Sequence, residues 1–256
     1  MTDKTLNKQC AIVISSFDGY ADTWTPFFQL FFRYWPDCPF PVYLISNYLT
    51  YCDPRVTPIN IIPDRDWSTN LKIALQKINT DYIIYLQEDY FLKEQVDTPK
   101  ILKALEVAQK EQALHLRLIP DSPKKNFKNY QDFKEILKDK PYLNSTQAAI
   151  WETKGLIDLL REGESGWDFE EKNGIKRARK TKRLFLCAEK QILNYLKTAI
   201  IQGKWHPQVK DIAQKENLTI RSKRKTKSRL YLKLKRNIFK IKGFKKIYRR
   251  LKNLET

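Results

Sequence analysis

The sequence contains no long apolar run, no closely spaced cysteines and, over residues 221–252, no acidic residue. No run approaches the roughly 20 apolar residues needed to span a bilayer, and the polar Met1–Thr5 start is not a secretory signal. We therefore expect no transmembrane helix and no secretion. The four cysteines have no CxxC spacing, which argues against a zinc or redox motif and favours reduced thiols in a cytosolic protein.

Positive charge is concentrated at one end of the chain. Of 48 lysines and arginines, 16 lie in residues 221–252, which leaves 32 basic against 29 acidic residues elsewhere in a chain of formal net charge +19. Such asymmetry points to an anionic partner, either a membrane or a nucleic acid. We divide the chain accordingly into a domain over 1–220 and a basic tail over 221–256.

Strands and helices alternate along the predicted domain. The predicted strands are 11–14, 41–46, 56–62, one beginning at 82, 114–118 and 147–151. The predicted helices are 25–34 with Thr25 as N-cap and Pro26 first, one capped by Ser68, 99–111, and one over 153–160 capped by Thr153. Residues 120–141 are polar and lysine-rich, and we interpret them as a mobile insertion. The alternation predicts an α/β fold with a mostly parallel central sheet flanked by helices.

The strand that begins at Tyr82 ends in two adjacent carboxylates, Glu88 and Asp89. Ligands of α/β sheets bind outside the carboxyl ends of the strands. Paired carboxylates there suit a divalent cation, which in turn suits a diphosphate. The alternative is that Glu88 and Asp89 simply begin a solvated loop.

Several short motifs follow one another over residues 10–205. They include Ser15-Ser16-Phe17-Asp18, Asp66-Trp67-Ser68 with Asn70, Leu86-Gln87-Glu88-Asp89, Leu116-Arg117-Leu118, Ile150-Trp151-Glu152 and Gly166-Trp167-Asp168-Phe169-Glu170. In this order the chain resembles the bacterial GT-A-fold glycosyltransferases that build lipopolysaccharide and capsule. The resemblance implies a Rossmann-like fold and sugar transfer from a nucleotide-sugar donor to a glycan or lipid-linked acceptor. Glu88-Asp89 departs from the Asp-x-Asp or Asp-Asp motif of that family.

Sugar transfer requires stabilisation of the leaving diphosphate and a base for the acceptor hydroxyl. The first role falls to Asp89 and Glu88, holding Mn²⁺ or Mg²⁺. By resemblance, the base is Glu170, which follows the Trp-x-Phe pattern, with Asp168 as the alternative. A carboxylate base without an obvious nucleophile favours inversion. The other interpretation of this acidic run is a helix start favoured by the helix dipole.

The remaining site predictions concern the two substrates. The predicted donor-binding residues are Ser15, Ser16, Asp18, Asp66, Trp67, Asn70, Glu88, Asp89 and Arg117, and the predicted acceptor-binding residues are Trp151 and Trp167. Asp18 and Asp66 are candidates for base or ribose contacts by resemblance. Ser15 and Ser16 equally fit ordinary turn chemistry, and Arg117 equally fits a structural ion pair. We expect His115 to be a core residue and His206 to be exposed and idle.

Apolar residues recur at helical spacing in the tail, at Leu234, Ile238, Ile241, Phe244, Tyr248 and Leu251. A basic amphipathic helix of this kind lies on an anionic membrane, which predicts a cytoplasmic protein peripheral to the inner face of the cytoplasmic membrane. We interpret residues 221–229 as a disordered, solvated segment. Two other function classes remain, a nucleic-acid-binding protein and an inactive membrane-docked scaffold. Because Glu88-Asp89 would repel phosphate without a metal, we expect no nucleic-acid partner.

Overall fold

The computed structural model of the chain describes residues 9–120, 122–230 and 232. The chain divides into two compact units, with the boundary between Lys197 and Thr198. The predicted tail helix lies almost entirely outside the described residues. The division at residue 220 therefore stays a prediction.

A nine-stranded sheet forms the centre of the first unit, in the spatial order β3-β2-β1-β4-β9-β6-β10-β8-β7. Its strands are β1 Cys10–Ser15, β2 Val42–Ser46, β3 Val56–Asn60, β4 Tyr82–Gln87, β6 Ala113–Arg117, β7 Lys124–Phe127, β8 Tyr130–Ile136, β9 Ala149–Glu152 and β10 Leu184–Ala188. Short strands β5 Phe91–Leu92 and β11 Tyr195–Leu196 pair separately. Only β8 and β9 run against the other seven strands of the sheet. The predicted α/β class with a mostly parallel sheet is confirmed.

Helices cover both faces of this sheet. Those of the first unit are α1 Ala21–Tyr34, α2 Trp67–Gln76, α3 Thr98–Lys110, α4 Thr153–Leu159, α5 Gly166–Glu171 and α6 Asn173–Lys180. Side chains alternate between the faces of a strand, and consecutive residues of β1 and of β4 up to Leu86 are all buried. Strands buried on both faces read as continuous apolar runs, which is why the sequence revealed them.

The two outer strands carry residues that discourage pairing with another chain. One edge strand, β3, contains Pro58, which has no backbone N–H to donate. The opposite edge strand, β7, begins with Lys124 and Lys125. Charged side chains and proline at sheet edges oppose edge-to-edge association.

Several local predictions were wrong, including Thr153 as an N-cap, because Thr153 is the first residue of α4 and the N-cap is Glu152. Helix α1 begins at Ala21, so Pro26 lies inside it, where it cannot donate to the carbonyl of Asp22. The N-cap of α2 is Asp66, whose carboxylate accepts from Thr69 N, and not Ser68. Residues 124–136, predicted as a mobile insertion, form the β7–β8 hairpin, which joins the sheet through β10.

The described part of the second unit contains β12 Ile200–Ile201, β13 Lys204–Trp205 and helix α7 Pro207–Glu216. The prediction that residues 221–229 are disordered was wrong. Trp205 N donates to Lys225 O at 2.9 Å, and Lys227 N donates to Trp205 O at 2.9 Å. Backbone pairing with Trp205, whose ring is buried, gives this basic segment a fixed course. The described residues contain no helix long and apolar enough to cross a membrane.

Candidate functional site

The carboxyl ends of β1 and β4 lie side by side. Ser15, the last residue of β1, is in register with Gln87, the last residue of β4. Glu88 and Asp89 follow directly, and their side chains are only 8% and 7% exposed. Two carboxylates are therefore gathered beside Ser15 at the carboxyl edge of the sheet, where α/β proteins bind ligands.

The phenol of Tyr85 connects several predicted donor residues beneath this edge. Its oxygen accepts from Trp67 Nε1 at 3.2 Å and from Gln87 Nε2 at 3.2 Å, and it also bonds to the Ser15 side chain. Burial raises the pKa of Tyr85 well above its ordinary value, so the phenol stays neutral. The Trp67 ring lies 5.4 Å from that of Phe169. Trp67 is thus a wall of the site, held by its indole N–H.

A second buried phenol, Tyr90, joins the strand end to residues 144–148, the segment that enters β9. Tyr90 Oη donates to Thr146 O at 3.1 Å and accepts from Gln147 Nε2 at 3.1 Å. Burial raises the pKa of Tyr90 well above its ordinary value, and the charges of nearby groups, including Asp89 and Glu170, raise it further. Tyr90 therefore lies within the electrostatic influence of both carboxylates.

Glu170 is fixed on the far side of this cluster. Its Oε1 accepts from Ser145 Oγ at 2.8 Å, from Thr146 Oγ1 at 3.0 Å and from Thr146 N. Glu170 is 9% exposed, so its carboxylate meets little solvent. Hydroxyl donors on one carboxylate oxygen orient the group, as a proton acceptor requires.

Asp168, the alternative base, instead starts helix α5. It forms a capping box with Ser165, in which each side chain bonds to the backbone of the other residue. Hydrogen bonds from Lys172 and Ser165 lower the pKa of Asp168 to about 2. The helix-start interpretation is confirmed for this residue, and a carboxylate this acidic is a poor base.

The two aspartates proposed for base or ribose contacts are engaged with backbone. Asp18 accepts from the N–H groups of Asn47, Tyr48 and Leu49, at 2.9, 2.8 and 3.1 Å. Both oxygens of Asp66 bond to Thr69 at the start of α2. These carboxylates shape the loops around the site and have little capacity left for a ligand.

A carboxylate that was not predicted is accessible to solvent near these loops. Asp64 is exposed, and the amides of Asn47 and Asn70 both donate to its Oδ1, at 3.0 and 2.7 Å. Asn70, predicted to bind the donor, is 6% exposed and positions Asp64. Asp64 was missed because nothing in the sequence distinguishes it from Asp66.

Exposed apolar side chains surround this region and were also missed. Phe17, Tyr48, Leu49 and Ile62 are 40%, 66%, 49% and 59% exposed, in the loops that follow β1, β2 and β3. Ligand sites are lined mostly by apolar and aromatic side chains with a few polar groups among them. Their position immediately after three predicted strands could have identified them as site candidates from the sequence.

Two predicted contact residues lie in the core. Trp151 is 1% exposed and packs 4.2 Å from the ring of His115, so its assignment to the acceptor is corrected to a packing position. Arg117 is also 1% exposed and donates to Ser122 Oγ and Tyr142 O. It thereby fixes the loop after β6, and its assignment to the donor is likewise corrected. His115 is a core residue as predicted, at 0% exposed.

The remaining predicted residues differ in their solvent exposure and contacts. Trp167, in the first turn of α5, is 69% exposed and open to a ligand. Ser16 is half-buried and its Oγ accepts from Trp24 Nε1 at 2.7 Å. His206 is the N-cap of α7, where its Nδ1 accepts from Gln208 N at 3.1 Å, so it is not idle.

The described residues contain no cluster of three or more His, Cys, Asp or Glu able to hold a metal ion. Glu88 and Asp89 supply two neighbouring carboxylates. Mg²⁺ in such sites is bound by one or two carboxylates together with substrate phosphates. The residues present fit a cation shared with a diphosphate, and they do not form a complete protein cage.

No family model and no curated protein matches the chain. Among solved structures, TarS 1-349 of S. aureus in complex with UDP-GlcNAc is similar at a TM-score of 0.49 and 9% identity, over 73% of this chain and 57% of TarS 1-349. A UDP-glucose pyrophosphorylase complexed with UDP-glucose gives 0.46 and 9%, over 73% and 91%. The bifunctional IspDF of Campylobacter jejuni gives 0.45 and 13%, over 82% and 55%. This chain thus spans less than two thirds of TarS 1-349.

Proposed function

We propose that this protein transfers a sugar from a nucleotide-sugar donor to a hydroxyl of a glycan or lipid-linked acceptor, as a glycosyltransferase of bacterial surface polysaccharide synthesis. One observation carries the proposal. The buried Tyr90 directly follows Glu88 and Asp89 in the chain and donates to the carbonyl of Thr146. The N–H and hydroxyl of Thr146 in turn donate to the carboxylate of Glu170. The sequence resemblance supports the lipopolysaccharide or capsule context.

The donor diphosphate occupies the space beside Ser15, Glu88 and Asp89 in this proposal. Glu88 and Asp89 would hold Mg²⁺ or Mn²⁺ together with the phosphates, and the cation supplies charge neutralisation of the leaving group. Burial of both side chains strengthens this electrostatic interaction relative to water.

The nucleobase contacts the exposed rim in this proposal. Phe17 or Tyr48 supplies an aromatic face for stacking, and Asp64 supplies a hydrogen-bond acceptor. A carboxylate acceptor suits a base edge that carries N–H donors, such as the ring N–H of uracil or guanine. Asp64 takes the role that the sequence assigned to Asp18 and Asp66.

Glu170 serves as the general base, and Trp167 supplies a platform for the acceptor sugar. The acceptor hydroxyl gives its proton to Glu170 while its oxygen bonds to the anomeric carbon. The bond from that carbon to the diphosphate breaks, and the nucleoside diphosphate leaves with the electron pair. Attack opposite the leaving group inverts the anomeric configuration.

The basic tail brings the enzyme to an anionic membrane in this proposal. Each lysine or arginine near such a surface contributes about 1 kcal/mol before screening by salt. Truncation should begin after residue 232, because residues 222–227 pair with Trp205. A marked weakening of vesicle binding in this truncated form, with soluble-acceptor activity retained, would support the role of the tail.

A thermal-shift screen of nucleotide sugars, with and without Mn²⁺, tests the proposed function. A ligand at 100 times its Kd stabilises the native state by about 2.7 kcal/mol. We expect one donor to raise the melting temperature of the protein, and Mn²⁺ to enlarge the shift. The same donor and an acceptor extract should then yield a glycosylated product. Absence of any shift across the common nucleotide sugars would contradict the proposal.

A further inference from the structure

Helix α6 presents lysines on one side and buries the other. Gly174, Ile175 and Ala178 are buried against the first unit, whereas Lys176 and Lys180 are exposed. Residues four apart on a helix are neighbours on its surface. Lys182, just past the end of the helix, is exposed as well. We call these three side chains the α6 lysine face.

These lysines differ from those of the β7–β8 hairpin. In the hairpin, Lys124 pairs with Glu189 at 2.9 Å, Lys125 with Glu135 at 3.2 Å, and Lys128 with Glu111. Lys176, Lys180 and Lys182 form no ion pair with any described residue. Their charge is therefore not neutralised locally, and the field of the α6 lysine face reaches outward to about one Debye length, roughly 8 Å at physiological salt.

The surroundings add charge and rigidity to this face. Arg179 donates to the carbonyls of Lys138, Asp139 and Lys140, at 3.0, 3.2 and 3.2 Å, and Lys138 Nζ donates to Thr181 O at 3.1 Å. Residues 138–140 are thereby held against the C-terminal end of α6. A helix dipole favours cations only in the last turn. It accounts for Lys180 but not for Lys176, which lies a turn earlier.

We infer that the α6 lysine face binds the headgroups of an anionic bilayer. Exposed lysines one turn apart suit a planar charged surface, and Lys176 and Lys180 are about 6 Å apart along the helix axis. Single-stranded nucleic acid binding typically adds aromatic platforms, and this face presents only lysines. The inference is independent of both the proposed chemistry and the basic tail, and it gives the first unit a membrane contact of its own.

Vesicle flotation of the full chain tests the inference. The variant Lys176→Glu/Lys180→Glu/Lys182→Glu is compared with Lys93→Glu/Lys110→Glu/Lys190→Glu, which changes the net charge equally at exposed lysines elsewhere. The vesicles contain equal parts of phosphatidylglycerol and phosphatidylcholine. Each lysine contributes roughly fivefold to partitioning, and each substitution also adds a negative charge, so the first variant should lose at least about 100-fold at low salt. The control should lose less than about a tenth of that effect.

Two outcomes would overturn the inference. Equal losses in both variants would show that overall charge, and not this face, governs binding. Unchanged flotation together with loss of single-stranded RNA binding in the α6 variant would identify a nucleic-acid surface instead. Circular dichroism of both variants checks that α6 remains folded, and slower amide exchange over residues 173–183 on adding vesicles gives an independent positive readout.

Discussion

The two walls of the carboxyl edge use their carboxylates in opposite ways. On the wall formed by the loops after β1, β2 and β3, Asp18 and Asp66 bond to backbone N–H groups, and apolar side chains face solvent. On the wall formed by residues 144–148 and α5, Glu170 is buried and is oriented by side-chain hydroxyls as well as one backbone N–H. The partners of a carboxylate, and not its place in a motif, indicate whether it builds the site or acts within it.

The largest expected effect is that of Glu170→Gln. Removing a general base lowers turnover by about 10²–10⁴-fold. The amide keeps the shape and one acceptor oxygen for Ser145 and Thr146, so the fold and donor binding should persist. Steady-state kinetics with a cognate donor and acceptor measure the loss.

Glu171→Gln is the matched control for this wall. Glu171 is exposed one residue further along α5, and Tyr142 Oη donates to it at 3.1 Å. We expect its turnover to remain near that of the wild type. Equal losses in both variants would mean that α5 contributes only local charge, and would remove Glu170 from its role.

Asp89→Asn should give the next largest effect. Loss of one electrostatic contact to a developing charge lowers kcat by about 10²–10³-fold. The dependence of activity on Mn²⁺ concentration should shift to higher concentration, because one carboxylate of the pair is lost. A variant that keeps normal kcat and normal Mn²⁺ dependence would argue that Glu88 and Asp89 only begin a loop.

A pair of substitutions separates structure from binding on the first wall. Asp18→Asn leaves a backbone N–H without its acceptor and should lower the free energy of unfolding by about 1–3 kcal/mol. Tyr48→Ala should change stability little, since Tyr48 is 66% exposed, but should weaken donor affinity by about tenfold, given that base stacking contributes roughly 1–3 kcal/mol. Urea unfolding and donor titration of both variants check this, and the reverse pattern would contradict the assignment.

The smallest expected effect concerns acid. Burial, and then the charge of Arg117, lower the pKa of His115 well below its ordinary value. Below about pH 6.5 the unfolded chain takes up a proton that the native state does not, so stability falls by up to about 1.4 kcal/mol per pH unit. His115→Leu should reduce this slope in urea unfolding measured between about pH 7 and pH 5. An unchanged slope would assign the acid sensitivity to other groups.

Local patterns predicted the strands well and the surface elements poorly. The buried strands β1, β4 and β6 were identifiable because an apolar run that ends in polar residues can be recognised without knowing which distant residues it contacts. The β7–β8 hairpin was mistaken for a mobile insertion because its lysines pair with Glu111 and Glu189, which are remote in sequence. Strand β10 was not predicted from the sequence, where a basic run directly precedes it.

The candidate site was predictable at one strand end only. Glu88 and Asp89 could be placed at the carboxyl edge of the sheet because they follow the last residue of a predicted strand. The roles of Asp18, Asp66 and Asp168 depended on backbone N–H groups and capping geometry, which the residue types alone do not specify. Asp64 and Tyr90 act through contacts between separate segments, and no spacing in the sequence predicts those contacts.

The sharpest test of the roles assigned to Asp89 and Glu170 is calorimetric titration, in the presence of Mn²⁺, of the donor identified by thermal shift. Wild type, Asp89→Asn and Glu170→Gln are compared under the same conditions. We expect Asp89→Asn to lose donor affinity, whereas Glu170→Gln should bind the donor as the wild type does and fail only in turnover. Normal donor affinity in Asp89→Asn, or loss of affinity in Glu170→Gln alone, would contradict the assignment of the two walls.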